Sequence, residues 1–450
     1  MTLAGVAGGC GWSGMTVAKN VLMGKMQYDT INYSLFRWCT NGLPYLDRFP
    51  EILDGKYIVF LLNNRELRPA GGFMGSFARV EFEKGNLVGI RVVDIYEPDG
   101  KLVGHVEPPY PVQESFLTGE WRLRDSDWDV DFKSAALTIK WFLEQGGEKG
   151  VRGIVAVNLL SVNQLIGIFG ELEVPEYGVT VNEDNLYALA QEKAESGWFA
   201  GSMQKGDFLG ALSMAMLRKI EKISPSNALG ASLLIYNELK DGQILVWFED
   251  AELQKEVEKR GWAGRLEGGE GGFLYVVETN LGANKANCCI ERVVEQDIEN
   301  NMVKLKIEWE NKNEFDDPKP PKYWGGRYWN YVRVIVPKRL KIQDVRVQGK
   351  SLRRVGEEDF EMPNSLRQTR SLDMYNVEER DNFGIVGFWA YVQSKSLAVA
   401  ELELQGDGVT EQRKMLVKRQ PGIERFRYQL TVDGRRIADE DITADKIFSW

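Results

Sequence analysis

The chain has very little histidine and cysteine. Its 450 residues include one histidine, His105, and four cysteines, Cys10, Cys39, Cys288 and Cys289. With so few of these residues, the usual His/Cys zinc sites are excluded. A Ser–His–Asp triad is also excluded unless His105 is its histidine. Adjacent cysteines rarely bridge, because the peptide between them holds their side chains in poor geometry. The cysteines therefore predict no disulfide framework.

Long apolar runs and an excess of basic residues are also missing. No run approaches the ~20 apolar residues that a membrane-spanning helix requires. The formal net charge is −10 and the pI is about 5.1, so we expect no nucleic-acid partner, because phosphate backbones need clustered Lys and Arg. A negative net charge over the whole chain still permits one small basic pocket for a phosphorylated ligand.

What is present is an ordinary globular composition, 43% hydrophobic and 27% charged, over a length that suggests two or three domains. Residues 1–49 predict a helical start, with apolar residues at three- and four-residue spacings from Thr16 to Cys39. Strands alternate with helices over residues 50–272, which predicts a layered α/β domain with a mixed sheet. Residues 273–450 contain short strand-like segments separated by turns and predict an all-β, sandwich-like domain.

The most distinctive local feature is the segment 63–76, which directly follows an apolar strand. It carries Arg65 and Arg68, then the pair Gly71 and Gly72. Arginines beside backbone that can approach a ligand closely suit phosphate oxygens. The alternative interpretation is a structural turn whose arginines pair with nearby carboxylates. The residues alone favour neither.

A second feature is the acidic segment 122–132, in which four aspartates alternate with other residues. Asp125 and Asp127 could hold Mg²⁺ through their carboxylate oxygens. The structural alternative is a solvated loop in which Asp129 or Asp131 caps the following helix. Asp94, at the end of a hairpin strand, could join either feature.

Several of these motifs together resemble the bacterial domain-of-unknown-function family 4012. The resemblance covers about residues 50–435 and rests on motifs that occur in the family's order: 60–76, 93–96, 123–128 with Asp131 and Phe132, 280–287, 331–337 and 418–422. It implies a cell-envelope protein on the extracytoplasmic face. Members of the family usually carry a membrane helix ahead of the domain, so we expect membrane association only through an upstream segment that this chain lacks.

The first domain is also similar, more distantly, to LytR–CpsA–Psr enzymes, which transfer glycopolymers from a polyprenyl-pyrophosphate carrier. Those enzymes hold the pyrophosphate with arginines and Mg²⁺ with acids. Arg65 matches their first arginine and Arg68 the second. Asn63 stands where their first aspartate belongs, and their later Pro-Arg-Asp element is absent unless Arg124 and Asp125 supply it.

These resemblances give the leading functional hypothesis, an envelope protein that binds or transfers a polyprenyl-pyrophosphate-linked or wall glycan with Mg²⁺. The predicted substrate-binding residues are Arg65, Arg68, Gly71 and Gly72. The predicted catalytic residues are Asp94, Arg124 and Asp125, and the predicted metal ligands are Asp125 and Asp127. The rival hypothesis is a non-catalytic envelope scaffold or glycan- or protein-binding module, in which the Arg/Gly segment is structural.

Overall fold

The computed structural model describes residues 3–39, 48–116, 119–195, 204–268, 271–317, 325–356, 371–406 and 413–450. Its helices are α1 Leu3–Leu22, α2 Ile31–Cys39, α3 Phe49–Ile52, α4 Tyr96–Asp99, α5 Tyr110–Phe116, α6 Phe132–Gln145, α7 Leu159–Phe169, α8 Leu186–Glu195, α9 Gln204–Glu221, α10 Pro225–Lys240 and α11 Ala251–Lys259. Of the helices that the structure describes, none is both long and apolar enough to cross a membrane.

The strands fall into an early and a late group. The early strands are β1 Gly55–Asn63, β2 Phe73–Glu83, β3 Asn86–Asp94, β4 Val151–Asn158, β5 Leu172–Val174, β6 Val179–Val181 and β7 Ile244–Phe248. The late strands are β8 Gly272–Asn280, β9 Ile290–Glu299, β10 Met302–Asn311, β11 Tyr328–Pro337, β12 Lys341–Val347, β13 Lys350–Ser351, β14 Arg353–Arg354, β15 Met374–Arg380, β16 Phe383–Val392, β17 Ser396–Gln405, β18 Lys414–Lys418, β19 Phe426–Val432, β20 Arg435–Ile442 and β21 Lys446–Ser449.

The residues group into two compact units, each made of several chain segments. The first unit comprises Met1–Leu62, Met74–Leu102 and Ala136–Gly264. The second comprises Asn63–Phe73, Val103–Ala135 and Arg265–Trp450. The predicted domains were continuous stretches, and these units differ from them because two early segments group with the late strands.

The first unit is built on a five-stranded mixed sheet in the order β3-β2-β1-β4-β7. β1 runs parallel to β4, whereas β2 pairs with β3 and β4 with β7 in the antiparallel sense. Ile58, Phe60 and Leu62 alternate along β1 and are almost fully buried, as expected of a strand inside a covered sheet. The predicted mixed α/β class is confirmed.

The helical start of the chain differs in detail from the prediction. The apolar spacing predicts one helix to Cys39, but α1 ends at Leu22 and α2 begins at Ile31. Gly24 has a φ of +65°, the left-handed conformation that commonly ends a helix. Thr30 then begins α2, since its hydroxyl accepts a hydrogen bond from the Tyr33 amide at 3.4 Å. Apolar spacing alone does not reveal such caps.

The second unit contains two seven-stranded sheets that enclose one core. One sheet has the order β14-β15-β16-β11-β8-β18-β21 and the other β13-β12-β17-β10-β9-β19-β20. Along β11, Val332 and Val334 face this core, while Tyr331 packs on the opposite face with Val112 and Trp128. The predicted sandwich-like region is confirmed, and part of the segment 103–135 covers the outer face of its first sheet.

The expectation that the two adjacent cysteines would not bridge was wrong. Cys288 and Cys289 form a disulfide with each other. They lie at the end of a short 3₁₀ turn, Ala286–Cys289, where the chain enters β9, and this local conformation brings the two sulfurs together. The side chains of Cys10 and Cys39 lie outside the described part of the chain.

Candidate functional site

The Arg/Gly segment 63–73 is a turn held by its own backbone and by other segments of the second unit, to which it belongs. The amide of Glu66 donates to the Asn63 carbonyl at 3.0 Å, and the amide of Phe73 donates to the Glu66 carbonyl at 2.8 Å. The Leu67 amide donates to the Asn287 side-chain oxygen at 3.0 Å. These hydrogen bonds hold the turn in place without a ligand.

The two glycines of this segment are needed for close approach of the chain to itself. Gly71 has a φ of +122° and lies against Pro421 and Gly422. A Cβ atom at Gly72 would lie 2.6 Å from the amide nitrogen of Asn64 and closer still to the Asn63 carbonyl. The sequence suggested that the backbone of this segment is open to a ligand. In the structure, other backbone of the same protein lies against it instead.

This packing predicts a clear effect of Gly72→Ala. The added methyl group would overlap backbone atoms that cannot move aside as a side chain can, so we expect the free energy of unfolding to fall by about 1–3 kcal/mol. The control is Gly89→Ala, since a Cβ there would meet no atom within 4 Å. Chemical denaturation of both variants checks the prediction, and equal stability of the two would contradict it.

Arg68 is the buried centre of the segment, with only 3% of its side chain exposed. Its Nη1 donates to the carbonyl oxygens of Leu67, at 3.3 Å, and of Asn280. Its Nη2 donates to Glu66 Oε1 at 3.2 Å and to Asp125 Oδ1 at 3.5 Å. The guanidinium also lies 5.5 Å from the Phe73 ring centroid. Arg68 thus joins its own turn to β8 and to the acidic segment.

The charges around Arg68 compensate for its burial. Burial by itself lowers the pKa of Arg68, but the carboxylates of Glu66, Asp125 and Asp127 outweigh it and raise that pKa. Burial raises the pKa of Glu66 above its ordinary value, although Arg68 and Lys285 act in the opposite direction. Arg68 is therefore held as a cation.

Asp125 lies between two of the predicted arginines. One carboxylate oxygen faces Arg68, and the other is 3.5 Å from Arg124 Nε. The 3₁₀ turn Leu123–Asp125 positions this carboxylate, and the Trp121 indole donates to the Asp125 carbonyl at 2.9 Å. Three of the predicted residues, Arg68, Arg124 and Asp125, therefore meet in the second unit.

Asp127 is fully buried, and neither of its carboxylate oxygens accepts a hydrogen bond from another described residue. Burial raises its pKa to about 7, while the charge of Arg68 acts in the opposite direction. A carboxyl group with this pKa can exchange a proton near neutral pH.

The described residues fit a magnesium site poorly. Both oxygens of Asp125 face guanidinium groups, so of the two predicted ligands only Asp127 has oxygens without partners. Within the described ranges, no three His, Cys, Asp or Glu side chains are grouped so that they could hold a metal ion.

The remaining predicted residues lie elsewhere or have other contacts. Arg65 is partly buried, and its carbonyl accepts a hydrogen bond from the Asn287 amide at 3.0 Å. Asp94 belongs to the first unit, at the end of β3 opposite Ser76. Its Oδ1 accepts a hydrogen bond from the Tyr96 amide at 3.0 Å, at the start of α4. Asp94 therefore has a local structural contact.

The sequence interpretation missed two polar partners of Arg68. Glu66 lies inside the motif 60–76, but the sequence interpretation assigns it no role. Gln420 donates to the carbonyls of Arg68, at 3.0 Å, and of Glu278, at 2.8 Å, and its side-chain oxygen accepts from the Glu278 amide at 2.7 Å. Gln420 belongs to the late motif 418–422, and membership of a motif was the only signal that could have identified it.

Arg333 was missed as well. It is buried, its Nε and Nη2 have no hydrogen-bond partner among the described residues, and its guanidinium lies 4.3 Å from the Trp128 ring centroid. Burial lowers its pKa, although Tyr331 and Asp129 act in the opposite direction. Arg333 and Asp127 are thus two buried, incompletely bonded ionisable groups, and the charge of Arg333 acts to lower the pKa of Asp127.

Comparison with known proteins gives one family match. Residues 54–194 match the model of a family described as protein of unknown function (DUF4012). No curated protein matches the chain. One similar solved structure is an M1 zinc metallopeptidase from Deinococcus radiodurans, with 6% identity, a TM-score of 0.16 and coverage of 32% of each chain. The chain thus spans about a third of that protein, and at this score the likeness indicates neither fold nor function.

The family match includes the Arg/Gly segment and the acidic segment that define the Arg68 site. The similarity to LytR–CpsA–Psr enzymes stays a prediction. The resemblance to family 4012 that the sequence motifs predicted is confirmed over residues 54–194.

Proposed function

We propose that the chain is a non-catalytic scaffold or binding protein in which the Arg/Gly segment is structural. The observation that carries this proposal is the position of Arg68. Its guanidinium is buried, is paired with Glu66 and Asp125, and bonds two backbone carbonyls of its own unit.

The charge balance of the cluster supports this proposal. Two guanidinium groups, Arg68 and Arg124, are ion-paired with two carboxylates, Glu66 and Asp125, so the paired charges sum to zero. A pyrophosphate binds where positive charge is in excess and where N–H donors are accessible. Because both terminal nitrogens of Arg68 already bond the protein, an incoming anion would have to displace carboxylates from a buried site, which is costly.

The envelope location and a glycan partner stay predictions that this proposal retains. A scaffold of this kind would bind a wall or lipid-linked glycan without transferring it. Catalysis at the Arg68 cluster is the part that the proposal rejects.

The decisive experiment uses the wild-type chain and Arg124→Ala. Arg124 is partly exposed, so its removal leaves the fold intact more readily than removal of Arg68. With undecaprenyl-pyrophosphate glycan and Mg²⁺, we expect neither protein to release the carrier, as measured by chromatography of the lipid product. Turnover by the wild type that Arg124→Ala abolishes, with unchanged unfolding, would overturn the proposal.

The alternative is a glycopolymer phosphotransferase, and one observation favours it. Asp127 is buried without a hydrogen-bond partner among the described residues, an arrangement that is costly in a purely structural cluster and frequent in catalytic sites. If turnover is found, its pH profile in wild type and Asp127→Asn distinguishes a role of Asp127 in proton transfer from a role in packing alone.

A further inference from the structure

The first unit contains a basic cleft that the proposed function does not use. The cleft has a volume of about 690 Å³, within the usual range for small-ligand sites. It lies where the end of α7, the strand β5, the end of α9 and the start of α10 come together. All of its walls belong to the first unit, so it is independent of the Arg68 cluster.

One wall of the cleft carries three cations, Arg218, Lys219 and Lys222. They come from the last turn of α9 and the residues just after it, and all three are exposed. Within the described part of the chain none of them is ion-paired with a carboxylate. By contrast, the partly exposed Lys306 and the exposed Lys312 of the second unit each contact two glutamates. The charge of the cleft cations is therefore available to a ligand.

A second part of the lining, the acidic wall, offers groups that suit hydroxyls. It contains Glu171 and Glu173, which flank Leu172 of β5 and are both exposed. Asn227, at the start of α10, also lines the cleft, and its side-chain nitrogen donates to the Ile168 carbonyl at 3.1 Å. With three cations and two carboxylates the cleft is positive by one charge. Part of its lining is apolar, from Phe169 and Ile223.

We propose that this cleft binds a phosphorylated sugar. Arg218, Lys219 and Lys222 would hold the phosphate by charge-assisted hydrogen bonds, and Glu171 and Glu173 would accept hydrogen bonds from sugar hydroxyls. A phosphate alone would use only the cationic wall, and the acidic wall would repel a ligand that is anionic throughout. The combination therefore selects an anion linked to a neutral polyol.

The same headgroup could arrive free or on a lipid carrier. Both sources would present the same phosphate and hydroxyls to the lining residues, so the experiment includes both.

The test is calorimetric titration of the full chain with glucose 1-phosphate, glucose, inorganic phosphate and undecaprenyl-phosphate glucose in detergent. We expect glucose 1-phosphate to bind at least tenfold more tightly than glucose or phosphate alone. Arg218→Gln/Lys219→Gln/Lys222→Gln should weaken that binding at least tenfold. Tighter binding of the lipid form than of glucose 1-phosphate would identify the carrier as the source, and equal binding would identify the free sugar phosphate.

The matched control is Lys255→Gln/Lys259→Gln, two exposed lysines on α11 that do not line the cleft. We expect this control to bind like wild type, and Glu171→Gln/Glu173→Gln to weaken glucose 1-phosphate without weakening inorganic phosphate. Because every substituted side chain is exposed, thermal unfolding should be unchanged in all variants. Absence of binding by wild type, or equal binding by the triple variant, would overturn the proposal. Neither result bears on Arg68.

Discussion

Replacement of Arg68 by Ala should lower the free energy of unfolding by about 3–5 kcal/mol, the usual cost of removing one partner from a buried ion pair. The substitution would leave Glu66 and Asp125 without their shared cation and the Asn280 carbonyl without its donor. Urea denaturation at neutral pH measures the loss, and a reduced Tm should accompany it.

The control for Arg68→Ala is Arg425→Ala in the same unit. Arg425 is also 3.5 Å from its carboxylate partner, Asp441, but 69% of its side chain is exposed. An ion pair in water contributes about 0–1 kcal/mol, so the control should be nearly as stable as wild type. If the two variants lost equal stability, or Arg68→Ala lost none, the structural role of Arg68 would be wrong.

Substitution of Asp127 by Asn should stabilise the protein at pH 8 and have little effect near pH 4. The folded-state pKa of Asp127 is about 7, against an ordinary value of 3.8. Between these values the folded state binds more protons than the unfolded chain, so the contribution of Asp127 to stability is full at low pH and is lost as pH rises through 7. The loss is on the order of 4 kcal/mol, from about 1.4 kcal/mol for each pH unit.

The measurement is the difference in unfolding free energy between wild type and Asp127→Asn from pH 4 to pH 8. Burial raises the pKa of Glu66 too, but Glu66 is present in both proteins and so largely cancels in the difference. Asp129→Asn is the control. Asp129 accepts hydrogen bonds from Arg380 at 2.6 Å and from the Asp131 amide at 2.8 Å, so its substitution should destabilise the protein at pH 8. A pH-independent difference for Asp127→Asn would show that Asp127 is not a buried, titrating carboxyl.

Local features of the fold could be predicted because they depend on neighbouring residues. The hairpin of β2 and β3 was visible as alternating apolar residues around a Lys-Gly-Asn turn, and the apolar run of β1 indicated a covered strand. Turn residues at regular intervals after residue 273 indicated the change from the α/β region to the all-β region. The break between α1 and α2 was missed, because a left-handed glycine and a threonine cap do not alter apolar spacing.

The candidate site was only partly predictable. The sequence singled out Arg68, Arg124 and Asp125, and the structure brings these three side chains together; their functional roles stay predictions. It could not show whether these groups face solvent or each other, because burial depends on segments far away along the chain. Asn280 and Gln420, which bond Arg68, are separated from it by 212 and 352 residues. Such partners carry no local pattern.

The long separation between Arg68 and Gln420 also has a consequence for synthesis on the ribosome. At about 5–20 residues per second, the 352-residue separation takes roughly 20–70 s to translate. Throughout that time the backbone carbonyl of Arg68 lacks its Gln420 donor, whereas Glu66 and Asp125, the ion-pair partners of Arg68, are made long before Gln420. The bond between the Arg68 carbonyl and Gln420 is therefore among the last contacts of this turn to form during biogenesis.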